Sequence, residues 1–332
     1  MPVLGTLAPD ASLPYTRLPD SLKNVSREGV WYLGTNSAGI TIRFRSDAKS
    51  VGLKWKSRYK YDMNHMTATG VRGLDLYVLQ DDSTWTNFAP ARPNPESNIS
   101  EVTVMNNLEP KMREYMLYLS LYDGVDSVAV GTDSAAVVLP PAVDLPKKGK
   151  PVIMYGTSIL QGGCATRPGM AHTNILQRKL NHEVVNLGFS GNGRLDYDIA
   201  HLIADNEASV IVLDALPNVT TPEMDEKLPE FISIIREKQP TTPILLVETL
   251  IFPHARFDKT VLDYLTEQNE HLRAHYKYLV DEGDENIFYF TTDKVFNNLE
   301  ATVDNIHLTD TGFQYFADNL APVIQLLIQL NK

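Results

Sequence analysis

Residues from about 25 to 139 alternate between apolar and polar positions in short runs. The runs at 40–45 and 51–56 are clear examples, and a Tyr122-Asp123-Gly124 turn signal separates two later ones. A period of two is typical of strands that bury one face. No segment of this region has the periodicity of a long helix. The pattern therefore predicts an N-terminal, jelly-roll-like β-sandwich domain over residues 1–140.

The pattern changes after a segment rich in proline and lysine at 139–150, which we interpret as a linker. Near-continuous apolar runs then alternate with helix-like segments. The apolar runs lie at 152–154, 184–187, 210–213, 244–247 and 287–290, and the helix-like segments at 169–181, 196–206, 222–238, 258–279 and 309–329. Buried strands that alternate with helices predict a three-layer α/β domain with a five-stranded parallel sheet over residues 150–332. Such sheets place their sites at the carboxyl ends of the strands.

Composition narrows the possible partners. The net charge of −11 argues against nucleic acid and against an anionic membrane surface, because neither attracts a polyanion. The single cysteine, Cys164, excludes an intrachain disulfide and a cysteine-rich metal site. No group of His, Asp and Glu has metal-ligand spacing, so we expect neither metal nor cofactor. No apolar run reaches 18 residues, so no membrane span is expected.

The N-terminal residues lack the basic start and the continuous apolar core of a signal peptide. We therefore expect either a periplasmic or secreted mature form without its leader, or a cytoplasmic protein. The sequence leaves the oligomeric state open.

Three residues supply the parts of a nucleophilic site. Ser158 follows the apolar run 152–154, with Gly156 two residues before it, and Asp304 stands three residues before His307. A serine hydroxyl needs a base to take its proton, and a histidine base needs a third group to orient it. Each motif is weak alone, since a serine at this place is more often a helix cap and Asp-x-x-His spacing arises by chance.

Two further strand ends carry groups that could stabilise an oxyanion. The segment 188–193 contains three glycines, among them Gly191, which let backbone amides approach a bound oxygen closely. Asn218 follows the next strand and has two amide protons to donate. The alternatives are a flexible loop for the glycines and a turn asparagine beside a proline for Asn218.

Taken in order, these motifs resemble the SGNH (GDSL-type) hydrolase superfamily over roughly residues 150–330. The resemblance implies a flavodoxin-like sheet with Ser158 as nucleophile, His307 as base and Asp304 as the orienting carboxylate. It also implies an oxyanion hole formed by Ser158, Gly191 and Asn218. The first block reads Gly-Thr-Ser where the family has Gly-Asp-Ser, and the third reads Leu-Pro-Asn-Val in place of Gly-x-Asn-Asp. Neither departure removes a proposed catalytic atom.

A second resemblance covers nearly the whole chain. The segments 161–170 and 73–77 look like those of a two-domain group common in Bacteroidetes, whose N-terminal sandwich bears a Gly-x-Asp-Leu-Tyr signature. Members of this group are expected to be carbohydrate esterases. The implied substrate is a small-molecule or polysaccharide ester.

Six residues are candidates for substrate binding. They are Tyr59, Tyr61 and His65 in an aromatic and methionine-rich loop, Arg167 in the segment 161–170, and Glu248 and His254 after the fourth strand. Tyrosine rings can bury an apolar sugar face while the hydroxyl finds a partner. The alternative is that the tyrosines cement the domain interface and that His254 is a solvated loop residue. Cys164 we interpret as a small packing residue.

These observations predict a serine esterase that removes O-acetyl groups from carbohydrate through an acyl-enzyme. The rival functions are a lipase or thioesterase with the same catalytic residues, and a glycan-binding protein without activity. The loop at 58–70 mixes charged and amide residues with its aromatic ones, which favours a polar ligand over a lipid.

Overall fold

The structure, a computed structural model, describes residues 1–293, 295 and 299–331. Its N-terminal region contains nine strands. They are β1 Val3–Leu4, β2 Thr41–Ser46, β3 Val51–Ser57, β4 Leu74–Leu79, β5 Trp85–Ala91, β6 Ile99–Met105, β7 Arg113–Tyr118, β8 Val125–Thr132 and β9 Val138–Leu139. Two short helices, α1 (Glu28–Gly34) and α2 (Ala68–Arg72), lie between them.

The N-terminal strands form two antiparallel sheets. One has the order β1-β2-β7-β4-β5, with β9 also pairing with β2, and the other has the order β6-β3-β8. Apolar side chains from both sheets, among them Phe44, Trp55 and Leu117, meet in one buried cluster. This arrangement confirms the predicted β-sandwich. The period-two pattern did not predict β5, α1 or α2.

The C-terminal region alternates strands and helices. Its elements are β10 Lys147–Gly156, α3 Ser158–Gln161, α4 His172–Leu180, β11 His182–Gly188, α5 Tyr197–Ala204, β12 Val210–Asp214, α6 Thr221–Lys238, β13 Ile244–Val247, α7 Lys259–Asp281, β14 Ile287–Phe290 and α8 Asp310–Leu330. No helix among the described residues is long and apolar enough to cross a membrane.

The five C-terminal strands form one parallel sheet in the order β11-β10-β12-β13-β14. Alternate residues of β10 point to opposite faces. Val152 and Met154 pack with α4 and α8, whereas Ile153 and Tyr155 pack with α5 and α6. The sheet and its two helical layers confirm the predicted α/β fold. The strand β10 already begins at Lys147, within the segment that we interpreted as a linker.

Helix α1 lies in the N-terminal region but packs on the α/β sheet. Val30 and Leu33 share a buried cluster with Tyr155 and Phe189. Its small last residue is required because a side chain on Gly34 would come within 2.3 Å of Leu18. The short helix therefore belongs to the core of the neighbouring domain, which is why an analysis of the sandwich alone did not find it.

A buried arginine links the two regions. The Arg17 guanidinium donates to the carbonyls of Leu33 and Asn36 at 2.6 and 3.1 Å, and to those of Asn186 and Gly188 at 3.0 and 2.7 Å. Burial lowers the pKa of Arg17 to about 9, so the side chain remains charged at neutral pH. A buried charge is tolerated only when it is well hydrogen-bonded. The four carbonyls meet that need and join the end of α1 to the end of β11.

The Gly-x-Asp-Leu-Tyr signature forms a second link. Asp75, fully buried, accepts from the Arg167 guanidinium at 2.6 Å and from the Gly169 amide at 2.9 Å. The Tyr77 hydroxyl accepts from the same guanidinium at 2.6 Å. The signature thus holds the loop that follows α3 against the sandwich.

Replacing Arg17 should destabilise the whole protein. Arg17→Met leaves several buried carbonyls without a donor, and each costs about 1–3 kcal/mol. We expect the free energy of unfolding, measured in urea, to fall by about 3 kcal/mol or more. The exposed Arg92→Met serves as the control and should change it by less than about 0.5 kcal/mol. Equal stabilities of the two variants would contradict the linking role of Arg17.

Candidate active site

Ser158 lies at the carboxyl edge of the parallel sheet, as the first residue of α3. Gly156 precedes it at a point where β10 and β12 approach closely, since a side chain there would lie 2.4 Å from the Asp214 carbonyl oxygen. The first amides of a helix have no intrahelical acceptor, so the Ser158 amide is available to an external oxygen. The hydroxyl is half-buried.

The loop before α8 brings histidine and aspartate to this serine. His307 Nε2 lies 2.9 Å from Ser158 Oγ, and His307 Nδ1 lies 2.7 Å from Asp304 Oδ2. Ring and hydroxyl therefore form a continuous hydrogen-bonded chain from carboxylate to serine. This is the arrangement in which an imidazole can take the serine proton.

The three-residue spacing of Asp304 and His307 has a local explanation. Asp304 Oδ1 accepts from the backbone amides of Ile306 and His307 at 3.1 and 2.8 Å, while Oδ2 binds the ring. One carboxylate thus fixes both the turn and the imidazole. Burial would raise the pKa of Asp304, but the hydrogen bonds from His307 outweigh it and lower the pKa below its ordinary value.

Gly163 makes room for the His307 imidazole. A side chain at this position would lie 3.0 Å from His307 Cδ2 and 2.8 Å from the Tyr122 hydroxyl. Sequence analysis did not single out Gly163. The only available signal was its place in the pair Gly162-Gly163, directly after α3.

The glycine loop, residues 188–193, lies beside Ser158. The Phe189 amide donates to the Gly156 carbonyl at 3.0 Å, and the Ser190 amide donates to Gln161 Oε1 at 3.0 Å. Gly191 has a φ of +67°, which glycine adopts without strain, and no atom lies within 4 Å of where a side chain would start. A side chain at this position would therefore point into open space.

Asn218, in the short 3-10 helix Leu216–Asn218 after β12, contacts the same loop. With its amide oxygen turned to the loop, it accepts from Asn192 and Gly193 at 3.2 Å and from Gly191 at 3.3 Å. This orientation satisfies the oxygen and turns the NH₂ group away from the loop. The structure therefore brings Gly191 and Asn218 together. Their roles as oxyanion donors stay a prediction.

The predicted aromatic loop, at residues 58–70, reaches His307. The His65 ring lies 5.7 Å from the His307 ring, measured between centroids. Tyr61 is 44% exposed and lines a cavity next to the glycine loop. The Tyr59 ring lies 5.0 Å from Tyr32, and its hydroxyl is 2.7 Å from the hydroxyl of Thr35. Tyr59 therefore packs against Tyr32.

Two predicted binding residues are engaged in structural ion pairs. Arg167 is held by Asp75 and Tyr77 as described above. Glu248 is buried, and its carboxylate accepts from Arg273 at 2.7 Å and from Tyr289 at 2.6 Å. Its other oxygen accepts from the Thr292 amide. These contacts account for both charges without a substrate, and a role in binding stays a prediction for each.

His254 lies in the 3-10 helix Pro253–Arg256, and its ring stacks on Phe252 at 6.3 Å. Its buried Nδ1 has no hydrogen-bond partner among the described residues. No contact among the described residues links His254 to Ser158, His307 or Asp304. Its role in binding therefore also stays a prediction.

One cluster in the described part of the chain has the donor set of a metal site. Single ligand atoms of His65, Cys164, Asp304 and His307 all lie within 4.8 Å of one another. Sequence spacing did not indicate this group because its members come from three distant segments. Any ion here would occupy His307, which contacts Ser158, and Asp304, which contacts His307. Burial raises the pKa of Cys164 to about 12, so its thiol stays protonated at neutral pH.

Comparison with protein-family models gives two matches. The model described as the GDSL-like lipase/acylhydrolase family matches residues 149–325. A model named GxDLY, the N-terminus of SGNH hydrolase-type esterases, matches residues 1–138. The comparison with curated proteins gave no match.

Solved structures similar to this chain include two that span both regions. A protein from Bacteroides ovatus, described as a GDSL-like lipase, has a TM-score of 0.93 and 28% identity over 99% of this chain and 96% of its own. The salicylyl-acyltransferase SsfX3 of a tetracycline biosynthetic pathway has a TM-score of 0.75 and 20% identity over 97% of this chain and 94% of its own. The latter similarity concerns the fold.

Asp304→Asn should keep the fold and reduce turnover by on the order of a thousandfold or more, because an amide does not hold the imidazole in the tautomer that accepts the serine proton. The loss is measured as kcat on p-nitrophenyl acetate. A loss of less than tenfold would contradict the orienting role.

The same variant also tests the lowered pKa of Asp304. A carboxyl whose pKa is lower in the folded state stabilises the protein above its unfolded pKa, and this contribution is lost as the pH falls through the folded value. The stability difference between wild type and Asp304→Asn should therefore be present above pH 3.8 and disappear below it. A difference that grows on acidification would contradict the assignment.

Gly163→Ala should impair catalysis. The added methyl group would lie 3.0 Å from His307 Cδ2 and 2.8 Å from the Tyr122 hydroxyl, so these side chains must shift, and small misplacements of reacting groups cost on the order of tenfold to a hundredfold in rate. The control is Gly131→Ala, where the methyl group would meet only Gly52 O, at 3.9 Å. Unchanged kcat/KM in Gly163→Ala would show that the methyl group does not displace the His307 ring.

Proposed function

The chain belongs to the GDSL-like lipase/acylhydrolase family, and on this premise we propose that it is a serine esterase that removes O-acetyl groups from carbohydrate. The observation that supports the reaction most directly is the hydrogen-bonded chain from Asp304 through His307 to Ser158. It stands at the sheet edge where α/β domains place their sites.

The proposed reaction has two steps. His307 Nε2 takes the proton of Ser158 Oγ as the oxygen attacks the ester carbonyl, and it then gives that proton to the leaving alcohol. The acetyl group remains on Ser158 as an ester. Water, deprotonated by the same imidazole, then releases acetate and restores the serine. Asp304 stays ionised and stabilises the imidazolium that forms in each step.

The oxyanion of each tetrahedral intermediate needs donors that are in place beforehand. We assign the Ser158 amide, the Gly191 amide and the Asn218 side chain to this role. Gln161 and Asn218 support the assignment because they hold the segment that carries Gly191. The Gly191 amide donates to the Asn218 oxygen in this structure, and the proposed role requires a substrate oxygen to take that place. Donors aimed at the developing charge are the source of this kind of catalytic effect.

The proposed substrate class follows from the surface above the serine. Lys60, Asp62 and Asn64 are exposed on the loop that carries Tyr61 and His65. A lid that receives lipid presents a continuous apolar face, and these charged and amide groups interrupt one. The polar loop supports a carbohydrate ester over a long-chain lipid ester.

Acyl-chain profiling separates the proposed esterase from its rivals. We expect hydrolysis of p-nitrophenyl esters to be fastest for acetyl, and release of acetate from at least one acetylated polysaccharide in a panel. Ser158→Ala should fold normally and lose both activities. A maximum at octanoyl, or a preference for simple thioesters with no acetate release, would favour a lipase or thioesterase.

The control for folding is the urea unfolding curve of Ser158→Ala, which should match that of the wild type. Activity that survives in this variant would disprove the nucleophile assignment. Binding of polysaccharide by a wild-type protein that hydrolyses no ester would favour the inactive glycan-binding protein.

A further inference from the structure

A cavity of about 240 Å³ lies between α1, the aromatic loop and the glycine loop. Tyr122 lines it and connects it to the segment that carries Ser158. The Tyr122 hydroxyl donates to the Ser158 carbonyl at 3.2 Å and also lies beside Gly163, against which the His307 ring packs. A group bound in this cavity would therefore stand beside an ester that Ser158 attacks.

The walls of the cavity combine aromatic faces with polar edges. Tyr32 and Tyr61 are 38% and 44% exposed, and Met63 adds a further apolar contact. Ser190 and Asn36 contribute polar groups to the lining. Aromatic faces with hydrogen-bonding groups around them suit a ligand that is apolar on its faces and polar at its rim.

Asn36 carries the most informative of these polar groups. The residue is 1% exposed, and its side-chain oxygen accepts from Gln161 at 3.2 Å. Its Nδ2 group has no hydrogen-bond partner among the described residues. A buried donor without an acceptor costs about 1–3 kcal/mol. Asn36 also lines the cavity. A ligand oxygen that reached this buried donor would satisfy it, whereas an alkyl chain would not.

The aromatic wall is held in place before any ligand arrives. Tyr32 packs on Tyr59, whose hydroxyl pairs with that of Thr35. The amides of Tyr59 and Tyr61 each donate to an Asp123 carboxylate oxygen at 2.9 Å. A wall fixed in this way loses little entropy when a ring packs against it.

We propose that this cavity is a sugar subsite, which binds one pyranose ring of the substrate against Tyr61, with a ring hydroxyl accepting from Asn36 Nδ2. The inference rests on the proposed esterase function and assigns the alcohol portion of the ester to the side of the serine lined by the N-terminal region. The cavity accommodates a single ring, so the rest of an oligosaccharide extends into solvent.

Binding to an inactive protein tests the subsite without relying on catalysis. Ser158→Ala is titrated by calorimetry with partially acetylated xylo-oligosaccharides and manno-oligosaccharides. The titration is repeated after adding Tyr61→Ala, which removes the stacking face, or Met63→Trp, which fills the cavity. We expect about a tenfold loss of affinity from Tyr61→Ala, equivalent to about 1.4 kcal/mol, and a larger loss from Met63→Trp.

The matched control is Tyr278→Ala, which removes an exposed tyrosine from α7, outside the cavity. It should leave the affinity unchanged. If neither oligosaccharide binds, or if both bind Tyr61→Ala and Tyr278→Ala equally well, the sugar subsite is wrong even when the wild type is an active esterase.

Kinetics distinguish a sugar ring from an acyl chain. In otherwise wild-type protein, Met63→Trp should lower kcat/KM for the oligosaccharide esters at least tenfold more than for p-nitrophenyl acetate. A selective loss on p-nitrophenyl octanoate would overturn the proposal and assign the cavity to the acyl chain. Absence of any esterase activity in the wild type would refute the proposed function, while the calorimetric result would still decide the cavity.

Discussion

The geometry of the site depends on a charge that the fold has buried. The Arg17 guanidinium must keep its carbonyl partners, because an unpaired buried charge is far more costly than the loss of ordinary contacts. Two of these partners, Leu33 and Asn36, lie in the last turn of α1 and just after it. The other two belong to the end of β11. Since the glycine loop begins where β11 ends, the position of Gly191 is fixed relative to a helix of the N-terminal region. Gln161 adds a second link between the same regions, because its side chain forms hydrogen bonds with Asn36, Leu121 and Ser190.

The convergence of Ser158, Gly191 and Asn218 and the contact of Asp304 with His307 were predictable because the fold imposes simple rules on these segments. Parallel strands end at one edge, so the segments after β10, β11 and β12 had to converge wherever their sequences placed Ser158, Gly191 and Asn218. The pairing of Asp304 with His307 follows from one turn, in which a carboxylate binds two amides and the ring that follows. Both rules are local or topological, and a single sequence contains the information that they need.

Other contacts could not be predicted from the sequence, because they join distant segments or depend on the direction in which a side chain points. Arg17 lies 169 residues from Asn186, and no period or motif relates them. Helix α1 has seven residues, too few for a helical period to emerge. Glu248 follows a strand just as a pocket residue would, yet its carboxylate points to Arg273 and Tyr289. Position at a sheet edge can be predicted from the sequence, whereas the direction of a side chain at that edge is decided by its neighbours.

The close joining of the two regions has a consequence for how binding energy can be used. Hydrogen bonds join the aromatic wall, Asn36 and the support of the glycine loop, so a ligand held by the wall would be held close to the proposed donors of the oxyanion. Remote binding energy raises turnover only when it positions the reacting atoms, and a flexibly tethered binding module cannot transmit it. In this protein Tyr122 contacts both the cavity and the Ser158 carbonyl, and Gln161 ties Asn36 to Ser190. In the proposed esterase, the N-terminal region is therefore placed to act on the rate of the reaction as well as on the affinity for the substrate.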